Sequence, residues 1–256
     1  MDLSVIIPLG PQEPTPGGLI ETLEKWKKVE AATRFKIEVI LSVSDDSDGL
    51  ASQTLSPDTA TNDVAPVAVP PSGVVIVSGS TGRARQMNRA AKKALGSYLW
   101  FLHADSDLSQ PTLDSLKKFV KQSSIDKSES LFFFRLAFTG HRLTAINAYT
   151  ANLRAKYLGL PFGDQGFCLR ASLFQRLGCY PEDAPYGEDH LLIWSAHHHG
   201  VPLIESSEIL HTSARKYKTR GWLKTTLQHI VQTANQALPQ AVTLARSKLK
   251  AKIQRR

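Results

Sequence analysis

The feature that most constrains this chain is an apolar run that ends in acids, Tyr98-Leu99-Trp100-Phe101-Leu102-His103-Ala104-Asp105-Ser106-Asp107. Its bulky apolar residues suit a strand buried on both faces. Carboxylates at the carboxyl end of such a strand stand where open α/β sheets bind ligands. Asp105 and Asp107, with His103, put oxygen and imidazole donors within reach of one divalent ion. A hard cation such as Mg²⁺ or Mn²⁺ suits that set. A simpler role for the same acids is to cap the helix expected after Pro111.

Strands and helices alternate around this run. Leu3–Pro8 reads as a first buried strand stopped by proline. A Gly/Pro loop from Gly10 to Gly18 follows, and Leu19 to Glu30 carries apolar residues at helical spacing. Ile37–Val43 is a second strand, followed by Ser44-Asp45-Asp46-Ser47-Asp48-Gly49. Residues 50–72, rich in Pro, Ser, Thr and Ala, have no clear period and read as a loop or insertion. Val74–Val77 is a third strand, and Gly79-Ser80-Thr81-Gly82 turns into a helix over Arg83–Leu95. Leu131–Phe138 is a further strand, and residues 140–210 mix helices and loops. This order predicts an α/β fold with a mostly parallel sheet flanked by helices. A chain of 256 residues is compatible with one such domain. Two cysteines make no disulfide framework, no signal peptide is evident, and no apolar run approaches a membrane span. A cytoplasmic location is the expectation.

Four clusters could carry chemistry. Asp45, Asp46 and Asp48 can accept hydrogen bonds from a nucleobase or from ribose hydroxyls, or can simply form an Asx-rich turn. Gly79–Asn88 is a strand–glycine turn–helix unit. It offers free backbone N–H groups to a phosphate, with Arg83 and Arg85 as cationic forks and Asn88 one turn on. It lacks the Lys-Ser/Thr of a P-loop and the spacing of G-x-G-x-x-G. Phe162-Gly163-Asp164-Gln165-Gly166-Phe167 sets an acid and an amide between two glycines before an apolar strand, which suits a rigid polar loop lining a pocket or a tight structural turn. Tyr186-Gly187-Glu188-Asp189-His190 places adjacent carboxylates at a helix start. The helix dipole favours them there, and one of them can serve as a general base. His197-His198-His199 is not a metal site, because consecutive helical residues point about 100° apart.

Taken in order, these segments resemble the family 2 glycosyltransferases of the GT-A fold, closest to a bacterial subgroup of small soluble members. The resemblance covers roughly residues 3–225. Ser4-Val5-Ile6-Ile7-Pro8 is similar to the opening strand, which puts Pro8 among the substrate-binding candidates. Asp45 and Asp46 resemble the nucleotide-contacting turn, although Val43-Ser44 stands where the family has Asp at the strand end. Gly82–Asn88 resembles the helix start beside the donor pyrophosphate. Leu102-His103-Ala104-Asp105 resembles the D-x-D motif, with His103 in place of its first Asp. Gly163-Asp164-Gln165-Gly166 resembles the acceptor-side loop, and Glu188-Asp189 the E-D pair whose Asp is the base. His211-Thr212-Ser213-Ala214-Arg215-Lys216 resembles the segment that closes over the donor phosphates.

The resemblance implies a metal-dependent, inverting transfer of a sugar from a nucleoside-diphosphate sugar to an acceptor hydroxyl. The donor expected first is a UDP-sugar and second a GDP-sugar, and Mn²⁺ or Mg²⁺ is the cofactor. Asp189 is the expected base, supported by Glu188. Pro8, Asp45, Asp46, Arg83, Arg85, Asn88, Asp164, Gln165, Arg215 and Lys216 are the expected substrate contacts. Asp105, Asp107 and His211 are the expected metal ligands. Two alternatives stay open at this point: a nucleotidyltransferase of similar sheet, and a non-catalytic nucleotide- or nucleic-acid-binding protein.

Charge is unevenly placed. The net charge is +8, yet no Asp or Glu follows Glu208, and 11 Lys and Arg lie from His211 onward. The expected division is a catalytic domain over residues 1–221 and a basic helical tail over 222–256. Residues 222–238 carry an apolar stripe expected to pack on the core. Pro239 should break or kink the helix. Beyond it, Val242, Ala245, Leu249 and Ile253 recur at helical spacing among Lys and Arg. Such a helix can lie on an anionic membrane, at the inner face in a cytoplasmic protein, and bring the site to a lipid-linked acceptor. Nucleic acid is the less favoured partner.

Overall fold

In the computed structural model, residues 1–11, 13–44, 73–140, 143–214 and 222–254 are described. Asp45, Asp46, Asp48, the 50–72 segment, Arg215 and Lys216 lie outside them. The centre is an eight-stranded mixed sheet: β1 Leu3–Pro8, β2 Ile37–Ser44, β3 Val74–Gly79, β4 Tyr98–Phe101, β5 Ser106–Asp107, β6 Leu131–Thr139, β7 Cys168–Arg170 and β8 Leu203–Ser213. Their order across the sheet is β3-β2-β1-β4-β7-β6-β8-β5. The pairs β3–β2, β2–β1, β1–β4 and β6–β8 are parallel, whereas β7 and β5 run antiparallel to their neighbours. Every residue of β1, β2 and β4 is buried. That is why these strands read as unbroken apolar runs instead of alternating.

Helices cover both faces. Helix α1, Gly17–Ala31, sets Leu19, Leu23 and Trp26 on one face of the sheet. Helix α3, Gln110–Asp126, joins it there through Leu113, Leu116, Phe119 and Val120. On the other face lie α2, Arg83–Lys93, α4, Thr144–Leu158, α5, Ala171–Arg176, and α6, Glu188–His198. Helix α7, Trp222–Gln254, packs Ala237 and Leu244 on this second layer.

Three expectations need correction. The acid-ended run is not one strand. β4 stops at Phe101, and the His103 carbonyl accepts a hydrogen bond from the Ser106 N–H, closing a turn. Ser106 and Asp107 then pair with Thr212 and His211 of β8 as a separate short strand. Helix α7 runs through Pro239 without a break. Its outward residues include Val231 and Ala234, which the apolar stripe had assigned to the core. Finally, α3 is capped by Ser109, whose hydroxyl accepts from the Thr112 N–H, so neither Asp105 nor Asp107 is needed as a cap.

A buried carboxylate joins the amino ends of β1 and β2 to the turn before β4. Glu38 Oε1 accepts from the Ser4 hydroxyl at 2.5 Å, from the Leu95 N–H at 2.6 Å and from the Gly96 N–H at 3.1 Å. The turn approaches β1 so closely that a Cβ on Gly96 would lie 2.5 Å from the Ser4 nitrogen. Gly96→Ala should therefore cost about 1–3 kcal/mol, the usual range for overpacking against an unyielding neighbour. Gly18→Ala, with open space at its Cβ in the first turn of α1, should be neutral or slightly stabilising. Urea unfolding of the two variants beside the parent checks both.

Candidate active site

The parallel strands end along one edge of the sheet. β1 leads to β2 on one side and has β4 on the other, so the strand order reverses between β1 and β4. A crevice at such a reversal is the usual ligand site of open α/β sheets. Pro8 closes β1 at this edge, and His103 lies just beyond β4. Gly82, with φ 129°, turns the chain from β3 into α2, and among the described residues no side chain caps the helix start. A helix N-terminus with free N–H groups attracts an anion.

Arg83, the first residue of α2, draws the acids together. Its Nε lies 3.6 Å from Glu188 Oε1, and its Nη2 lies 4.0 Å from Asp164 Oδ1. His103 Nδ1 stands 2.7 Å from Arg83 Nη2 and 2.6 Å from Asp164 Oδ1. One ring nitrogen thus faces a donor and an acceptor. Protonated, it donates to Asp164; bare, it accepts from Arg83. Burial works against the charge of Arg83, but Asp164, Glu188 and Asp189 outweigh it, and its pKa is raised. Arg85 is more exposed and reaches Glu182 at 4.0 Å.

The carboxylate of Asp189 is held by backbone. Its Oδ2 accepts from the Gly163 N–H at 2.5 Å and its Oδ1 from the His190 N–H at 2.8 Å. The loop that supplies the first bond is fixed by Gln165, a fully buried residue. Gln165 Oε1 accepts from the Phe162 N–H at 2.9 Å, and its amide donates to the Phe134 carbonyl at 2.8 Å. Asn88 is likewise engaged within the fold. It donates to the Tyr180 carbonyl at 2.8 Å and to Glu182 Oε1 at 3.0 Å, and accepts from the Tyr180 N–H at 3.1 Å. Gln165 and Asn88, expected to touch substrate, hold the loops that carry Asp164 and Glu182.

Three residues escaped the motif reading. Gln86 donates to the carbonyls of Leu9 and Ser42, tying the ends of β1 and β2. Arg89 donates to the Val43 carbonyl at 2.8 Å and the Ser80 carbonyl at 3.2 Å. Arg154, on α4, stacks its guanidinium 3.2 Å from the Phe162 ring centroid and donates from Nε to the Leu160 carbonyl. Burial lowers its pKa to about 10 against the opposing pull of Asp189 and Asp164. Nothing in sequence spacing separates these residues from ordinary helix-surface cations and amides.

Asp105 sits between the β4 turn and β5, its carbonyl accepting from the Ser213 N–H. Asp107 stands opposite His211 in the β5–β8 ladder. Among the described residues no group of three or more His, Cys, Asp or Glu side chains is arranged to hold a metal ion. Magnesium-like ions are commonly held by one or two carboxylates and completed by substrate phosphates. Asp105 and Asp107 lie two residues apart at this edge and supply oxygen donors of the type that mode uses. The three consecutive histidines diverge as expected: His197 Nε2 meets the Gly159 carbonyl, His198 Nε2 meets Gln240, and His199 Nδ1 meets the Ser195 carbonyl.

The fold is similar to that of solved structures. The mannosyltransferase PcManGT from Pyrobaculum calidifontis, in complex with GDP-Man and Mn²⁺, is 19% identical, with a TM-score of 0.57 over 93% of this chain and 64% of that one. S. aureus TarS 1-349 is 16% identical, with a TM-score of 0.56 over 83% of this chain and 60% of that one. The chain has the GT-A fold. It spans less than two thirds of the length of each of these two structures. No family model and no curated protein matches the sequence.

Glu188 gives a stability signature of the site. Burial and the neighbouring Asp189 raise its pKa above the ordinary carboxylate value, with Arg83 only partly opposing them. The folded state then holds this proton to higher pH than the unfolded chain. Stability from this group is therefore lost as pH rises above about 4.5 through the folded value. Glu188→Gln should gain stability relative to the parent as pH rises from about 4.5 to 7.5, measured by urea midpoints at the two pH values.

Proposed function

We propose that this GT-A domain transfers a sugar from a nucleoside-diphosphate sugar to an acceptor hydroxyl, with inversion at the anomeric carbon. The observation that carries the reading is the cluster of Arg83, His103, Asp164, Glu188 and Asp189 at the carboxyl edge of the sheet. Asp189 is the base. Two backbone N–H groups fix its carboxylate, and the positive charges of Arg83 and Arg154 stand near it. It takes the proton of the acceptor hydroxyl as that oxygen attacks the anomeric carbon. The bond from that carbon to the diphosphate oxygen breaks on the opposite face, and its electron pair leaves with the nucleoside diphosphate. No covalent enzyme intermediate forms.

The uncapped start of α2 and Arg85 receive the diphosphate, and Pro8 lines the crevice beside it. Asp45 and Asp46 contact the nucleoside, and Arg215 and Lys216 the phosphates. Asp105, with Asp107 and His211 beside it, would hold Mn²⁺ or Mg²⁺, which supplies positive charge to the departing diphosphate. The donor base is guanine or uracil; the GDP-Man complex of the similar mannosyltransferase makes guanine the first to try. A lipid-linked acceptor at an anionic membrane remains the proposed partner.

Nucleotide release from GDP-mannose and UDP-glucose, in the presence of Mn²⁺, tests the activity. Absence of release with every nucleotide sugar tried, together with absence of GDP and UDP binding, would overturn it. Asp189→Asn should keep nucleoside-diphosphate affinity and lower turnover by about 10²-fold or more, the usual worth of a positioned base. Near-normal turnover in that variant would move the base to Asp164. Asp105→Asn should remove the Mn²⁺-dependent part of GDP or UDP binding, as read by calorimetry with and without the metal. Unchanged Mn²⁺-dependent affinity would remove Asp105 from the metal site.

A further inference from the structure

Helix α7 is docked the wrong way round for a helix that ends in water. A surface helix of a soluble protein turns its apolar stripe to the core and its polar face outward. Among the described side chains the inward face is largely polar. Gln236 donates to the Tyr186 carbonyl at 2.5 Å and meets His190 Nδ1 at 3.2 Å. Gln240 meets His198 at 3.2 Å. Only Ala237 and Leu244 add apolar contact to the second layer among the described side chains. Gly187, in the left-handed region at φ 65°, lets Gln236 approach so closely that a Cβ there would collide with its amide.

The opposite face is apolar and open. Val231 is 56% exposed, Leu238 66% and Val242 49%, and Ala234, Ala241 and Ala245 are exposed beside them. Positions 231, 234, 238, 242 and 245 recur every three or four residues, so they form one stripe about 180° from Gln236 and Gln240. Leu249 and Ile253 keep the same spacing in the sequence, and Arg246, Lys248, Lys250 and Lys252 flank it. No acid follows Glu208 to oppose these charges. None of the described helices is long and apolar enough to cross a membrane.

From this arrangement we infer that the outward stripe of α7 lies in the interface of an anionic lipid bilayer. An apolar stripe bordered by cations is the chemistry of a helix lying in that plane. The first half of the helix takes part through Val231, Ala234 and Leu238, so the contact begins before Pro239 instead of being confined to the basic end. The helix is about 10–12 Å across with its side chains. Its inner face touches His190, next to Asp189, so the membrane plane stands one helix diameter from that point of the site. The inference rests on the orientation of α7 and not on glycosyl transfer.

Co-sedimentation with vesicles tests it. The full chain is mixed with phosphatidylcholine vesicles and with vesicles containing phosphatidylglycerol. The triple variant Val231→Gln, Leu238→Gln, Val242→Gln keeps every charge, and its substitutions fall on exposed positions. The parent should pellet with the anionic vesicles only, and the variant should pellet about tenfold less or worse, with an unchanged circular dichroism spectrum. Three results would overturn the inference: no pelleting of the parent, equal pelleting of parent and variant, or a parent that sediments as a dimer, loses the dimer in the variant and ignores vesicles. The last would make the stripe an interface between two copies. Nucleotide binding in the same samples separates this outcome from failure of the transferase reading.

Discussion

A single guanidinium organises this edge of the sheet. Arg83 opens α2, and within reach of its nitrogens are His103 from the turn after β4, Asp164 from the loop before β7 and Glu188 from the start of α6. Two acids, Asp164 and Glu188, converge on this point with Asp189 next to Glu188, and without a cation they would repel one another in a partly buried place. Removing the cation would leave that repulsion uncompensated. The fixed turn at Gly82 matters for the same reason, because it sets where the arginine leaves the backbone.

Around that charge the structure divides its work between side chains that meet solvent and side chains that brace them. Asp164 and Asp189 stand in the partly open crevice. Gln165, Asn88 and Gln86 are buried amides: Gln165 and Gln86 each bridge backbone groups from two segments, and Asn88 brackets both backbone groups of Tyr180. An amide is suited to this, since it offers a donor and an acceptor without the cost of burying a charge. Arg154 braces the same loop from beneath, stacked on Phe162 and bonded to the Leu160 carbonyl.

Much of this was legible in the sequence, for physical reasons that vary along the chain. β1, β2 and β4 are buried on both faces, so their apolar runs announce them. β8 was not separated from its surroundings, because Glu205-Ser206-Ser207-Glu208 interrupts the apolar pattern where its pairing with β6 shifts register. The GT-A fold, the acid-bearing loops and the helix starts were foreseen. The bracing roles of Asn88 and Gln165 were not, since an amide has the same spacing whether it faces a ligand or a carbonyl. Periodicity placed the 222–238 stripe of α7 on the core, whereas its described members Val231 and Ala234 face outward. That orientation depends on Gln236 and Gln240 finding partners on α6 and on the turn before it, which no local pattern encodes.

The Asn88–Tyr180 bracket has a consequence in chain entropy. It joins residues 92 apart, while the Gly163–Asp189 bond spans only 26. Closing the longer loop costs about 4 kcal/mol on the logarithmic scaling of loop length, before its constant part. The two hydrogen bonds of the bracket to the backbone return only about half of that or a little more. The bracket therefore does not cover its own closure and is stable only together with the sheet and helices that share it, so the loop carrying Glu182 draws its order from the whole fold and not from a local unit.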